Sequence, residues 1–233
     1  MKKLLCVVAI LTVIISCGTE SARDMTVMGT VRGLKKGTLY LQKVQDSILV
    51  TVDSMVIDGD ANFSFGADLP ETDIFYLYLN KKDNDTLNDR IFFFGEKDTI
   101  HITTSVERFE LDAEIKGSEN TDSYQEFATI MKKYRDQRLD LIGEAFNAQK
   151  AGDTQTVKEV NRKSEKLLKR SYLYAVNFAL NNRDKVVAPY VALTEIYDAN
   201  PKYLDTIYNT LDPSIKESKF GKELQEYLDS VKE

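Results

Sequence analysis

The sequence predicts an α+β protein: an N-terminal antiparallel β-sandwich or partly open barrel, followed by a C-terminal helical domain containing a long antiparallel helix hairpin. Three observations carry this. Up to Gly117 the chain runs in short β-branched and aromatic segments separated by turn residues; beyond Gly117 apolar residues recur at helical spacing; and four prolines in 233 residues leave little room for a disordered linker. The expected organisation is a signal peptide over 1–16, a lipidated tether over 17–24, the β-sandwich over 25–117 and the helical domain over 118–233.

The first element is an export signal. Lys2 and Lys3 give a basic start, Leu4 to Ile15 is an uncharged apolar run, and Ile14-Ile15-Ser16-Cys17 resembles the lipobox cut by lipoprotein signal peptidase. About a dozen apolar residues are too few for a spanning helix, which needs roughly 20. The resemblance implies that Cys17 becomes the acylated first residue of the mature chain, and several acyl chains at about 0.8 kcal/mol per buried methylene make a stable anchor. Gly18, not Asp, follows the cysteine. The best-known inner-membrane retention signal is therefore absent, and the expected location is the cell envelope, at the outer membrane, facing the periplasm or the surface.

Strands are expected over Met25 to Val31, Thr38 to Val44, Ile48 to Ile57, Phe63 to Phe65, Ile74 to Leu79, Ile91 to Phe94, Thr99 to Thr103 and Phe109 to Ile115. Gly33, Lys36-Gly37, Asp58-Gly59, Leu69-Pro70 and the polar stretch from Lys81 to Asp89 supply turns between them. Alternation is clearest where Leu39 and Leu41 oppose Tyr40 and Gln42, and where Ile100 and Ile102 oppose His101 and Thr103. Such a period of two suits half-buried antiparallel strands.

Past Gly117, the residues Tyr124, Phe127, Met131, Tyr134, Leu141 and Ala145 follow helical spacing, with Asp122 and Ser123 as candidate caps and Glu126 three residues after Ser123. Lys150-Ala151-Gly152-Asp153 stops this helix and starts a second, which places Val157, Val160, Leu167, Tyr174 and Phe178 on one side and runs to about Asn182. Shorter helices are expected over Ala188 to Tyr197, Pro201 to Thr210 and Gly221 to Val231.

Composition narrows the function classes. Loss of residues 1–16 removes Lys2, Lys3 and Cys6, leaving 29 basic against 37 acidic residues, a formal charge of −8, and Cys17 as the remaining cysteine. An acidic, tethered chain is unsuited to nucleic acid, which demands a basic footprint. With the Cys17 sulfur committed to lipid, thiol redox chemistry and cysteine metal ligation are not expected in this polypeptide.

The runs Gly29-Thr30-Val31-Arg32-Gly33 and Gly37-Thr38-Leu39-Tyr40-Leu41, with Asp53-Ser54, Asp58-Gly59 and Phe63-Ser64-Phe65, resemble a domain of unknown function (the 4369 family) found in exported lipoproteins. Lys116-Gly117-Ser118-Glu119-Asn120 resembles that family's junction into its helices. Leu211-Asp212-Pro213-Ser214 and Ser218-Lys219-Phe220-Gly221 resemble the helical tail that in many relatives precedes a thioredoxin-like module of thiol:disulfide interchange proteins. No Cys-x-x-Cys occurs here, so the redox activity implied by those relatives is not carried over.

No residue set composes a catalytic constellation, and no enzyme, cofactor or metal is expected. His101, the only histidine, sits on the polar side of its strand, and no Gly-x-Ser-x-Gly elbow accompanies it. Asp58 and Asp60 open an Asp-x-Asp-x-Asn run, but Phe63 and Leu69 stand where a calcium loop needs Gly and Glu; Asp83 and Asp85 fail in the same way at Asn88 and Phe94. A hairpin turn accounts for Asp58-Gly59. The row Lys158, Arg162, Lys166 and Lys169 reads as a solvated helix face, and the later tyrosines, Tyr172, Tyr174, Tyr190, Tyr197, Tyr203 and Tyr208, fall largely at core spacing. The expectation is a noncatalytic envelope lipoprotein that binds or scaffolds a partner, such as a separate redox or assembly factor, with membrane contact through the N-terminal lipid. Capture of glycan or peptide nutrients and hydrolysis of an unidentified substrate are the alternatives.

Overall fold

A computed structural model describes residues 23–45, 48–81 and 90–231. The signal segment, Cys17, Asp83 and Asp85 lie outside the described residues. Eight strands come first: β1 (Met25–Arg32), β2 (Lys36–Gln45), β3 (Ile48–Asp58), β4 (Asn62–Ala67), β5 (Asp73–Asn80), β6 (Arg90–Gly95), β7 (Thr99–Ser105) and β8 (Glu114–Lys116). Six helices follow: α1 (Glu119–Lys150), α2 (Thr154–Asn181), α3 (Val187–Glu195), α4 (Pro201–Thr210), α5 (Pro213–Lys216) and α6 (Lys219–Ser230). None of the described helices is long and apolar enough to cross a membrane.

The strands form two separate four-stranded sheets, ordered β4-β1-β7-β8 and β3-β2-β5-β6, and this is a sandwich, not a closed barrel. Alternation fills the space between them. Val27, Leu39, Leu41, Phe65, Leu77, Leu79, Phe93, Ile100 and Ile102 are buried there, while Thr26, Met28, Thr99, His101 and Thr103 turn to the opposite side of their sheet.

The second sheet is covered on both sides at its β5–β6 end. Phe75, Leu77, Ile91 and Phe93 enter the inter-sheet core, whereas Ile74, Tyr76, Phe92 and Phe94 face the helices and join Phe127, Val187, Leu204 and Leu224 in a second core. That is why β6 reads as an unbroken Ile-Phe-Phe-Phe run: a strand buried on both faces has no polar side to alternate with. A seam of rings closes the contact. Phe92 lies 4.9 Å from Tyr124, Phe94 lies 5.2 Å from Tyr190, and Tyr190 lies 5.3 Å from Phe220.

Four expectations need correction. β1 and β7 pair in parallel, with Val27 opposite Ile100, so the first sheet is mixed. Asp58-Gly59 is a turn, but it does not close a hairpin: β3 and β4 lie at the edges of different sheets, and the turn carries the chain around the corner between them. The segment expected as a strand over Phe109 to Ile115 is mostly a helical turn. The Asp112 amide donates to the Arg108 carbonyl, Phe109 is buried from the turn, and only Glu114–Lys116 extends. Finally, α1 starts one turn earlier than Asp122 or Ser123, because Ser118 is the cap and its Oγ accepts from the Thr121 amide at 3.1 Å.

Candidate functional site

The sequence-selected residues are dispersed. His101 is exposed on the outer side of the first sheet, between Met28 on β1 and Lys116 on β8. Asp58 ends β3 and pairs with Lys36 at 3.4 Å, both side chains largely in water. Asp60 shapes the corner turn, its Oδ1 accepting from the Asn62 amide at 3.0 Å and from Asn62 Nδ2 at 2.8 Å. Among the described residues no group of three or more His, Cys, Asp and Glu side chains is placed to hold a metal ion.

The helical tyrosines are mostly spent on packing. Tyr190 and Tyr174 belong to the ring seam, the Tyr172 hydroxyl donates to Asp198 at 2.9 Å, and the Tyr208 hydroxyl donates to Gln225 at 2.8 Å. Lys158, Arg162, Lys166 and Lys169 are exposed along α2. A recess of about 580 Å³ at the junction of sheet and helices is bordered by Glu71, Glu96, Asp98, Glu119 and Asp122. Two of these carboxylates are engaged in capping: Glu96 at the start of α1, and Glu71 at α6 through the Lys219 amide at 2.7 Å.

The hairpin displays a groove and an exposed apolar ridge. At its base, Phe127 stacks on Tyr174 at 5.6 Å and packs on Phe178 at 4.8 Å, which fixes α1 and α2 against the body. Farther out they stand as a two-helix arm, since between Met131 and Val160 only Ala148 is buried. Asp153 caps α2, and its carboxyl is held below the ordinary carboxylate range by hydrogen bonds from Thr156 and Gln155. Leu141, Ala145 and Ala148 of α1 run along the side facing Val160 and Leu167 of α2.

Along one side of this arm runs a groove of about 530 Å³, open to solvent. Met131, Leu167 and Ile142 give it apolar lining, Leu168 borders it from α2, and Glu195, Tyr197 and Asp198 close its inner end. Its charges are asymmetric. Arg135 and Arg138 come from α1, whereas Glu165 comes from α2 and Glu195 and Asp198 from the closing segment; Arg135 lies 3.9 Å from Glu195. Burial, and next the hydrogen bond to Asp198, push the Tyr172 hydroxyl above its ordinary range, so it serves as a neutral donor.

Beside the groove, Leu139, Ile142 and Phe146 form an apolar ridge on α1, 66%, 56% and 62% exposed. Sequence reasoning did not single them out, because Leu141 and Ala145 already satisfied the inward face of α1. The overlooked signal was a second set at spacings of three and four, turned away from the first.

A further feature lies on the outer face of the second sheet. Tyr40 and Tyr78 stack at 5.6 Å, and the Arg90 guanidinium sits 4.5 Å from the Tyr78 ring centre.

Residues 25–124 match the model of a family described as a domain of unknown function, DUF4369. The match spans both sheets, the junction and the first turns of α1. Among curated proteins, none matches this chain.

Proposed function

We propose that this chain, which through residues 25–124 belongs to the DUF4369 family, is a noncatalytic docking module of the cell envelope, tethered by lipid at Cys17 and placed at the outer membrane. One observation carries the reading: an apolar groove and ridge displayed together on an arm whose surroundings are otherwise polar. Scattered exposed leucines are normal on a protein surface, but a contiguous patch of Leu139, Ile142, Phe146 and Leu168 is the kind of surface that a partner covers. The tether supports the same reading, since a lipid-anchored body meets its partners at the membrane surface.

A photo-crosslinking side chain placed at Phe146 in intact cells tests it. The reading expects a defined polypeptide adduct at Phe146 and none at Lys169 on the opposite side of the arm. Equal labelling at both positions, or none at either, overturns it.

The Tyr40–Tyr78 stack with Arg90 favours a second reading, capture of a glycan on the outer face of the second sheet, because sugar rings stack on aromatic platforms and their hydroxyls accept from guanidinium groups. Loss of glycan-array binding in Tyr78→Ala is its signature. An array on which the wild-type chain binds nothing removes it.

A further inference from the structure

We propose that the outer face of α2 is a second membrane contact, a row of cations that lies on the anionic headgroups of the bilayer holding the tether. The inference rests on the tether reading for Cys17 and adds the lipid class and the face that meets it.

Lys158, Arg162, Lys166 and Arg170 recur at intervals of four, with Lys169 beside them, and all five are exposed. Residues four apart are neighbours on a helix surface, so each cation of the row faces another across one turn, which destabilises a helix. Among the described residues, none of the five forms an ion pair that would offset this. Lys163, the sixth cation of α2, takes Glu144 at 3.3 Å and Glu159 at 3.9 Å.

The acidic residues of α2 are directed elsewhere: Glu159 is drawn to Lys163, and Glu165 lines the groove on the other side of the arm. Asp140 of α1 borders a recess with Lys166 and Arg170 and pairs with neither. The neighbouring helix treats its cations differently. On α1, Lys132 meets Asp136 at 2.6 Å and Arg135 lies 3.9 Å from Glu195. In a chain of formal net charge −6, α2 alone carries six basic against two acidic residues. An anionic surface repels the rest of such a chain and attracts this face.

The place where the chain leaves the fold identifies the occupant. Asp24 lies 3.9 Å from Lys97, the Thr26 amide donates to the Asp98 carbonyl at 3.1 Å, and Glu96 just before them caps α1. The tether therefore departs from the root of the arm. Asp24 is seven residues from Cys17, a reach of at most about 25 Å. With 32 residues, α1 is about 48 Å long, so an arm rooted near the bilayer and longer than its tether sets its outer face on the headgroups when it tilts toward them. The row itself is about 18 Å long. A folded partner would need acids spaced to match it, whereas mobile headgroups arrange themselves to any row of cations. Clusters of four to eight Lys and Arg on a helix are the pattern that acidic lipids bind.

Protection of individual lysines tests the proposal. The wild-type chain, purified as its own cells process it, is inserted into preformed vesicles of phosphatidylcholine, with or without phosphatidylglycerol, and acetylated with a membrane-impermeant reagent. Mass spectrometry then reads each site. Lys158, Lys166 and Lys169 are expected to react at least about fivefold more slowly on the anionic vesicles, while Lys202 and Lys222 of the shorter helices keep their rates. Salt at about 1 M, which screens charges beyond about 3 Å, is expected to erase the difference. Arg162→Glu with Lys166→Glu is expected to abolish the protection of Lys158 and Lys169 with unchanged circular dichroism.

Equal rates on both vesicles, for a chain that floats with both, overturn the second contact and leave the tether standing. Protection that survives in the double variant, or that inorganic phosphate reproduces on phosphatidylcholine vesicles, overturns the lipid surface as its source. A crosslinker at Lys169 that traps an acidic polypeptide in intact cells does the same. A chain that floats only with anionic vesicles, its row protected, upholds the contact and overturns the tether.

Discussion

Glu96 and Asn120 are joined twice through one oxygen: Glu96 Oε1 accepts from the Asn120 amide at 2.9 Å and from Asn120 Nδ2 at 3.0 Å, and it takes the Ser118 hydroxyl at 2.8 Å as well. The carboxylate therefore sits at the positive end of α1, where unpaired amides and the helix dipole favour an anion. The other side of Asn120 reaches further, its Oδ1 accepting from the buried Val187 amide at 2.8 Å at the start of α3. Two side chains thus tie the loop after β6 to α1 and α3.

Replacing Glu96 by Ala is expected to cost about 2–3 kcal/mol, since charge-assisted bonds are lost and the Asn120 backbone amide is left without its acceptor. Asn120→Ala should cost about 1–3 kcal/mol by stranding the Val187 amide. Because they share bonds, the double variant should lose less than the sum of the two. Urea denaturation monitored by circular dichroism measures all three, and strict additivity would contradict the shared network.

Gly117 is the backbone hinge of the same junction. It has φ +92°, and a Cβ there would run into the carbonyl oxygen of Thr99. Gly152, in the turn between α1 and α2, also has a positive φ, +73°, but no heavy atom stands near its missing Cβ. Gly152→Ala should therefore cost only about 1 kcal/mol of conformational strain, whereas Gly117→Ala adds a backbone clash and should exceed about 2 kcal/mol. Thermal unfolding of the two variants side by side separates the contributions, and similar melting temperatures would refute the steric account.

The fold was legible where one periodicity ruled, and obscured where residues from distant parts of the chain decided the outcome. Leu39, Leu41, Ile100 and Ile102 announce half-buried strands, and Val160 and Leu167 announce a helix face. The sequence does not reveal that Val27 pairs with Ile100, since parallel pairing depends on how the chain crosses between sheets. The start of α1 was misplaced for a related reason. Ser123 and Glu126 have capping-box spacing, yet the true cap at Ser118 is completed by Glu96, 22 residues upstream. Phe109 was legible as a core residue but not as part of a turn, because an apolar side chain can be buried from either. The exposed ridge was hidden by success elsewhere: one stripe explained the inward face of α1, so Leu139, Ile142 and Phe146 raised no conflict.

The proposed tether has its own test at Cys17. If that sulfur carries the diacylglyceryl group, Cys17→Ser should abolish incorporation of labelled fatty acid and release the chain from the membrane pellet. The two readouts together exclude simple misfolding, which would leave the chain in the pellet as aggregate. A Cys17→Ser chain that remains labelled and membrane-bound would remove the lipid anchor from the proposal.

The ring seam predicts how stability responds to alkaline pH. Burial raises the phenols of Tyr76, Tyr124 and Tyr190 above their ordinary range, and for Tyr190 the neighbouring Tyr124 adds to the shift. In the unfolded chain the same phenols ionise near pH 10. Above that pH the folded state therefore holds more protons than the unfolded state, and stability falls as pH rises. The contribution is complete below about pH 10 and drains away as pH climbs from there toward the raised folded values. Urea midpoints for the wild-type chain should drop steeply above pH 10, while Tyr124→Phe with Tyr190→Phe, which keeps the rings and removes two ionisable groups, should flatten the drop. Absorbance at 295 nm supplies the independent check, because these phenols should ionise only in step with unfolding. An equally steep fall in the double variant would mean that the alkaline weakness lies outside the seam joining sheet and helices.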